Sequence, residues 1–559
     1  MKRKSFLKSS SGFALGSALL LSQVTPVQAL SFYKGELKGA FDTDLTYGVS
    51  VRTEDADTAN RGAYGNRLFE NAGDVFSNAV KGSSTLALDY KNVGMLMRGS
   101  YFYDFAYGQE NLSRDADDKL VSEVIISDAF VYGYFGNNDQ VNIRLGRQVI
   151  SWGENTFIQG SLNDINTVDL NKLRQPGKAL KDAFVGADAA YISWAVNDEW
   201  TVESFYLFAF NPIQLDPSGS FFTTLDAVGE GGGYDFGGDG VLGELGVGPF
   251  GSPSGACVAI DALDDCGLVG GSLVRVADDR AMGAQYGLAI RKFFPEMFGG
   301  TEVALYYQKL HDHTPMISSY YNTGQFFLEY VEDIERFGMS FNTNIGGWAI
   351  GGEYHMRKDA PIQMTAAVLN GLGAGPFVSA DCVGCAPGDR ITGYEEVDRH
   401  QAQMTFQRIW GVNEWLGADA NSTIGEVAYG WINGLPEDQP LVGPFSTIFN
   451  SQVTDNFWGF QVKQSITYEA ALFNVASLSP FVAFRYDVDG VSNEIVPLFV
   501  EDRKSLTIGA NFGYGGGKIT GGISWTMFDG KNFERNNAGS RLNGRTDRDF
   551  IQANVSYSF

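Results

Sequence analysis

Few residues in this chain are of the types that do chemistry at neutral pH, and four places among them stand out. Cys257 with Cys266, and Cys382 with Cys385, form two close pairs. In an exported chain such pairs read as two disulfides, each tying one loop. A metal site would need further ligands, and neither pair has a histidine near it in sequence. His311-Asp312-His313 sets two imidazoles at i and i+2, a spacing that can share a metal, without a clear third ligand. His355, flanked by Glu353 and Arg357, has the chemistry of a general base. A hydrolase built on it would also need an activated serine and an oxyanion donor, so a salt-bridge and hydrogen-bond network is the plainer reading. The glycine-rich stretch from Gly229 to Gly243 lacks the Lys-Ser/Thr end of a phosphate loop and reads as a flexible connection. These residues predict no catalytic set, no metal site and no cofactor; the chain is not expected to be an enzyme.

Composition narrows the class. The 559 residues hold 66 Asp or Glu against 41 Lys or Arg, a formal net charge of -25 that argues against a nucleic-acid partner. A hydrophobic content of 44% with 41 Phe is far too high for a disordered chain, and 69 Gly with 13% aromatics is unusual for a soluble one. At the N-terminus Lys2, Arg3, Lys4 and Lys8 precede the apolar run Phe13 to Leu21 and the small-residue site Val27-Gln28-Ala29. That pattern predicts a secretory signal peptide over residues 1–29 and a single mature unit over 30–559. Past it, no run reaches the roughly 18 apolar residues of a membrane helix.

The elements that must position any site are strands. Leu37, Gly39, Phe41, Thr43, Leu45, Tyr47, Val49 and Val51 alternate with Lys38, Asp42, Asp44, Thr46, Ser50 and Arg52. A period of two gives one apolar and one polar wall. There are eighteen such segments in all, near 37–51, 80–90, 93–106, 124–135, 140–151, 186–196, 200–210, 283–291, 301–310, 334–345, 348–357, 400–410, 422–432, 454–468, 478–488, 503–514, 518–528 and 549–559. Every second connection is short, as at Lys91-Asn92, Gly346-Gly347 and Gly515 to Gly517, and the others are long, notably 52–79, 152–184, 211–282 and 358–399. Loop lengths segregated by parity predict an all-β fold: a transmembrane antiparallel barrel of about 18 strands (16 to 18), with long extracellular loops and periplasmic turns. Only closure of the sheet removes unpaired backbone edges inside hydrocarbon. The last strand, ending at Phe559, resembles the C-terminal strands of Gram-negative outer-membrane barrels, which implies the outer membrane as location and its assembly machinery as a partner. Outer-membrane lipid and lipopolysaccharide are the expected surroundings.

A barrel this wide cannot be filled by wall side chains, so its lumen is open or occluded. About seven residues separate the expected cleavage site from the first strand, so a large N-terminal plug is not expected and the occluder must be a loop. The third long connection is the candidate. It carries Trp152, Phe157, Ile158, Leu162, Ile165, Val168, Leu170 and Leu173, too apolar a set for a solvated loop, and is expected to fold into the lumen, with a short helix near Ala179 to Phe184.

The run Gly146-Arg147-Gln148-Val149-Ile150-Ser151-Trp152-Gly153-Glu154, with Asp164-Ile165-Asn166-Thr167-Val168-Asp169-Leu170 and Leu173-Arg174-Gln175-Pro176-Gly177, resembles a family of proteobacterial outer-membrane proteins, the domain of unknown function numbered 1302 (DUF1302). The resemblance spans nearly the whole mature chain and implies a porin-like protein, often discussed beside uptake or breakdown of hydrophobic organic compounds. It implies no settled activity.

The inner wall is expected to carry Lys38, Arg98, Arg144, Lys463 and Arg485 beside Asp42, Asp44, Asp104, Glu203, Glu302, Glu353 and Asp487, with His355 among them. Mixed signs disfavour an inorganic-anion pore, which needs a field of one sign. Arg144, Arg147, Trp152, Glu154, Asp164, Asp169 and Arg174 are the expected constriction, with Arg147 and Arg174 pairing with Glu154, Asp164 or Asp169. The expected function is a porin-like channel for passive diffusion or uptake of small organic solutes, hydrophobic or amphipathic. The alternatives are a barrel-embedded lipid hydrolase and a closed structural or receptor barrel.

Overall fold

The computed structural model describes residues 30–57, 68–110, 112, 114–177, 183–223, 228–231, 274–323, 325–364, 384–435, 453–472, 475–494, 496–530 and 543–559. The expected signal peptide, and Cys257, Cys266 and Cys382, lie outside them. Cys385 is disulfide-bonded.

Eighteen strands form the wall: β1 (Leu37–Arg52), β2 (Val75–Tyr90), β3 (Val93–Asp104), β4 (Ser122–Phe135), β5 (Val141–Gln148), β6 (Ala187–Ala195), β7 (Trp200–Leu207), β8 (Gln285–Phe294), β9 (Thr301–Leu310), β10 (Ile334–Ile345), β11 (Trp348–Gln363), β12 (Tyr394–Ile409), β13 (Ala420–Asn433), β14 (Asn456–Leu472), β15 (Ala476–Asp489), β16 (Lys504–Tyr514), β17 (Ile519–Asp529) and β18 (Phe550–Ser558). Each pairs antiparallel with its neighbours in sequence, and β18 returns to β1 with Asp44 opposite Ser558 and Arg52 opposite Phe550. The backbone of Phe559 exchanges hydrogen bonds of 2.8 and 2.9 Å with Thr43. The remaining edge of β1 is covered by a short strand, Leu30–Lys34, which turns at Gly35 and pairs with Leu37 to Phe41. No sheet edge is left open along β1, the condition for crossing hydrocarbon.

The apolar register faces out. Tyr47, Met97, Tyr101, Ile143, Leu145, Leu288, Leu305, Met339, Met404, Val482, Ile508, Ile523 and Val555 are all exposed on the wall. The inward register buries polar side chains instead, among them Ser50, Gln308, Glu353, His355, Gln401, Thr405, Glu426 and Asp487. An inside-out distribution of this kind fits a wall solvated by lipid, with its polar groups satisfied internally.

Connections alternate as expected, but several strands run beyond the expected ends. β2 begins at Val75 rather than near 80, and β11 and β12 extend to Gln363 and back to Tyr394. The extensions of β11 and β12 carry Lys358, Asp359, Glu395 and Glu396, and a register shift interrupts the pairing between Arg357 and Ala360. The apolar alternation stops there while the hydrogen-bonded ladder does not. Above this rim a small sheet of Val274–Arg275, Gln325–Glu329, Met316–Tyr320 and Arg390–Ile391 joins three of the long connections.

The outward register makes a simple prediction. Ile508→Lys, on the middle of β16, should lower stability in lipid vesicles by about 2–4 kcal/mol in equilibrium unfolding, while Asn511→Lys on the opposite face should cost under about 1 kcal/mol.

Candidate functional site

The third long connection, residues 149–186, leaves the wall at the end of β5 and crosses the lumen. Gly146 starts the departure, with φ of 122° and a backbone so close to Ala129 that a Cβ would sit 2.3 Å from its carbonyl oxygen. Gln148 is buried and donates to the Ala189 carbonyl at 3.1 Å. Ile150 finds no strand to pair with. The Asn166 amide serves instead, accepting from the Ile150 N–H at 2.9 Å and donating to its carbonyl at 2.7 Å.

Trp152 is fully buried against β7 and β9, its ring 4.8 Å from Phe205 and 5.5 Å from Tyr306. Its indole N–H donates to Glu203 at 2.7 Å. Arg291 lies 3.2 Å from Glu203 and 3.0 Å from Glu302, so two wall carboxylates share one guanidinium.

Next the loop meets β11 and β13. Glu353 accepts from the backbone of Glu154 at 2.6 Å and of Leu162 at 3.2 Å. Glu426, wholly buried, accepts from three successive backbone N–H groups, Thr156, Phe157 and Ile158, at 2.8, 2.6 and 2.6 Å, and from the Thr405 hydroxyl at 3.0 Å. Consecutive N–H groups curved round one carboxylate form an anion nest, here filled by the protein's own side chain. Gly153 lets this happen: its φ is 83°, and a Cβ there would fall 2.1 Å from the Glu353 carboxylate. Arg336 donates to the Ser161 carbonyl at 2.8 Å, and Gln308 to that of Leu162 at 2.9 Å.

Beyond residue 164 the loop swings back across. Thr167–Val168 pairs with Phe184–Val185, and a helix, Leu170–Arg174, is capped by Asp169, whose carboxylate accepts from the Lys172 N–H at 3.0 Å. The helix expected near 179–184 lies mostly outside the described residues. The segment then reaches β1 and β18. Gln552 donates to the Arg174 carbonyl at 3.3 Å, and Gly48 and Gly177 leave room that a Cβ would fill against Pro176 and Thr46. The connection thus touches β7, β9, β11 and β13 with its first half and β1 and β18 with its second. It spans the barrel.

The expected constriction residues separate into three groups. Glu154, Asp164, Trp152, Asp169 and Arg174 all lie on the folded-in loop, and Arg144 faces inward with its guanidinium 4.1 Å from the Tyr191 ring centroid. Arg147 does not join them. It shares the outward register of Ile143 and Leu145 and forms a two-point pair with Asp188 at 3.0 and 2.8 Å. The expected pairings are also replaced. Arg174 pairs with Asp216 of the next long connection and caps the Phe222 carbonyl at 3.1 Å. Asp164 pairs with Arg357 and, at 3.6 Å, Arg336; Asp169 faces Lys172 at 3.5 Å, which reaches Glu123 at 2.8 Å. Loop charges pair with wall strands and neighbouring loops because the loop crosses the lumen instead of folding on itself. Burial alone would raise the Asp164 carboxyl, but Arg357 and Arg336 outweigh it and hold it below the ordinary range.

Of the other inner-wall positions, Arg98 pairs with Asp128 at 2.9 Å, Asp104 accepts from Ser77 at 2.6 Å, and Arg485 lies 3.0 Å from Asp487. Lys38 is exposed at the short-turn rim. His355 is fully buried, and neither ring nitrogen has a hydrogen-bond partner among the described residues. His311 accepts from the Asp333 N–H at 3.1 Å and His313 stacks on Phe210, so the histidine pair braces a loop. Among the described residues no group of carboxylates, histidines and cysteines has the arrangement of a metal site. Sequence reading missed Glu426, Asp216, Arg336 and Arg399; for Glu426 the inward parity it shares with Ala428 and Ile432 was the available signal.

A family model described as protein of unknown function (DUF1302) matches residues 10–559. The chain belongs to this family. Among solved structures, OccK9 (OpdG) of Pseudomonas aeruginosa aligns over 93% of this chain and 98% of its own at 10% identity, with a TM-score of 0.41. A BenF-like porin from Pseudomonas fluorescens Pf-5 aligns over 93% and 98% at 10% identity and 0.43, and OccAB1 of Acinetobacter baumannii over 96% and 99% at 10% identity and 0.42. No curated protein matches the chain. At such scores, what the site can do rests on its own residues.

Two predictions follow from the loop's seat. Glu426→Ala leaves three N–H groups, one buried and two half-buried, without their acceptor, and should loosen residues 156–158 by about 2–4 kcal/mol, read as lost hydrogen-exchange protection there. The second concerns pH. Burial pushes the Glu154 carboxyl from 4.5 up to about 8, with one oxygen bound to Asn342 at 3.1 Å and the other without a partner among the described residues. The docked loop therefore holds a proton that the free loop gives up, and docking weakens as pH rises from about 5 to about 8. Exchange at 154–162, corrected for its intrinsic pH dependence, should quicken over that window, and Glu154→Gln should flatten the profile.

Proposed function

We propose that this barrel is an outer-membrane channel for passive diffusion of small organic solutes, amphipathic or apolar, with the third long connection as its constriction. One observation carries the reading: a loop crosses the lumen and is fixed to opposite walls, by Glu353 and Glu426 on one side and by the Gln552, Gly48 and Pro176 contacts on the other. A barrel that served only as a structural shell would not need a crossing element held to this degree. The reading is supported by the mixed lining, in which charges are paired side by side rather than arranged as a field of one sign. Apolar side chains accompany the loop as well, Phe157 from the loop itself and Leu498 from the connection before β16, both half-buried beside the Ile158 cluster.

The hydrolase alternative gains no support from the histidine it would need. His355 has no serine within hydrogen-bond reach among the described residues.

The test is single-channel recording of the refolded mature chain in a planar bilayer. Discrete openings blocked by amphipathic solutes are expected, and deletion of residues 160–175 should enlarge conductance and loosen selectivity. Arg147→Ala, on the outward register, should leave both unchanged. Unaltered conductance after the deletion would remove the loop from this role; silence that persists after it would mean a closed barrel.

A further inference from the structure

Between the second half of the crossing loop and the last strands, four arginines converge on the lumen. Arg174 comes from the loop, Arg485 from the inward face of β15, Arg503 from the residue just before β16 and Arg545 from the connection before β18. Two carboxylates answer them. Asp487, buried, is 3.0 Å from Arg485 and 2.6 Å from Arg503, and Asp216 pairs with Arg174. Arg485 and Arg503 also donate to the Leu498 carbonyl, at 2.7 and 2.5 Å, and the Val500 N–H donates to Asp487 at 3.3 Å, so Asp487 is engaged on both oxygens.

Arg545 has no share in this. Among the described residues no carboxylate lies within ion-pair distance of it, and its Nε is buried without a hydrogen-bond partner. The charges that act on it most strongly among the described residues are Arg174, Arg503 and Asp216, then Arg485. Burial and the three guanidinium groups push its pKa well below the ordinary value. A guanidinium keeps its proton in proteins, so a negative charge brought to Arg545 would lower this repulsion. The cluster is open to solvent: Arg545 is half-buried, and the Arg485 and Arg174 side chains keep 30% and 15% of their exposure. Apolar surface adjoins it. The Arg174 guanidinium lies 4.9 Å from the Phe222 ring centroid, that of Arg485 lies 6.0 Å from Phe499, and Leu498 is half-buried between loop and wall.

We propose that Arg545, with Arg485, Arg503 and Arg174, binds the carboxylate of an amphipathic organic anion, whose apolar body lies along Phe222 and Leu498. A free guanidinium fork offers the two parallel donors a carboxylate takes. An excess of positive charge at one point of an acidic chain is then a recognition element for one end of the solute. The proposal refines the channel reading and shares its lumen, but binding can be measured without conduction.

Hexanoate is the probe. Titrated calorimetrically into the detergent-solubilised mature chain at low salt, it should bind saturably, with hexanol and acetate each at least tenfold weaker because one lacks the charge and the other the body. Arg545→Gln, which breaks no ion pair among the described residues, should weaken hexanoate tenfold or more, and Arg545→Lys should restore part of the loss. Lys38→Gln, at the far rim, should change nothing. Wild-type affinity in Arg545→Gln, equal binding of hexanol, or an equal loss in Lys38→Gln would overturn the assignment. Conduction without hexanoate binding would end this proposal and leave the channel standing; binding without conduction would do the reverse.

Discussion

A backbone segment inside a barrel has no strand to pair with, and here the carboxylates of Glu353 and Glu426 take the place of one. Between them they accept five main-chain N–H groups of the crossing loop. Buried N–H groups left alone each cost as much as a lost hydrogen bond, so the loop could not stay in the lumen without these acceptors. Asn166 does the same for Ile150, and Asp169 for the short helix. The family motif is largely the list of residues that solve this problem: glycines that bring the main chain near enough, and short polar side chains that imitate a neighbouring strand.

The wall solves the same problem by closure, and the two solutions depend on each other. Closure fixes which side chains point inward, so Glu353 and Glu426 face the loop only while β11 and β13 keep their register with β12 between them. A slip by one residue would turn both carboxylates to lipid. The same register sets Arg336 and Arg357 against Asp164 and Arg399 against Glu494, the second pair fixing the connection before β16. Removing either partner of such a buried pair leaves a charge with no solvent to receive it, which costs far more than the pair contributes.

These physical differences decide how much could be read beforehand. All eighteen strands were legible because one face of each meets lipid, and lipid imposes a period of two. Legibility ended where lipid ends: β11 and β12 continue past Arg357 through charged residues whose pairing is set by partners, not by environment. That the third connection folds inward was legible in its apolar content. Its partners were not, since pairing across a lumen depends on which residues lie opposite after closure, as Asp216 does for Arg174. Arg147 is a different case. It stands two residues from Leu145, and that parity already assigned it to the outer face.

The net charge of the chain and the charge at any point in its lumen are separate quantities. Opposed charges that are paired cancel within a few ångströms, and at physiological salt anything beyond roughly 8 Å is screened. The excess acid that gives the chain its -25 therefore says little about the field a solute meets beside Arg545. What it meets is set by local stoichiometry: four guanidinium groups, two carboxylates and one cation with no partner of its own among the described residues. Composition can exclude a class of partner that contacts the whole surface, such as nucleic acid. A solute that enters the barrel senses only the few side chains that closure and the crossing loop bring together.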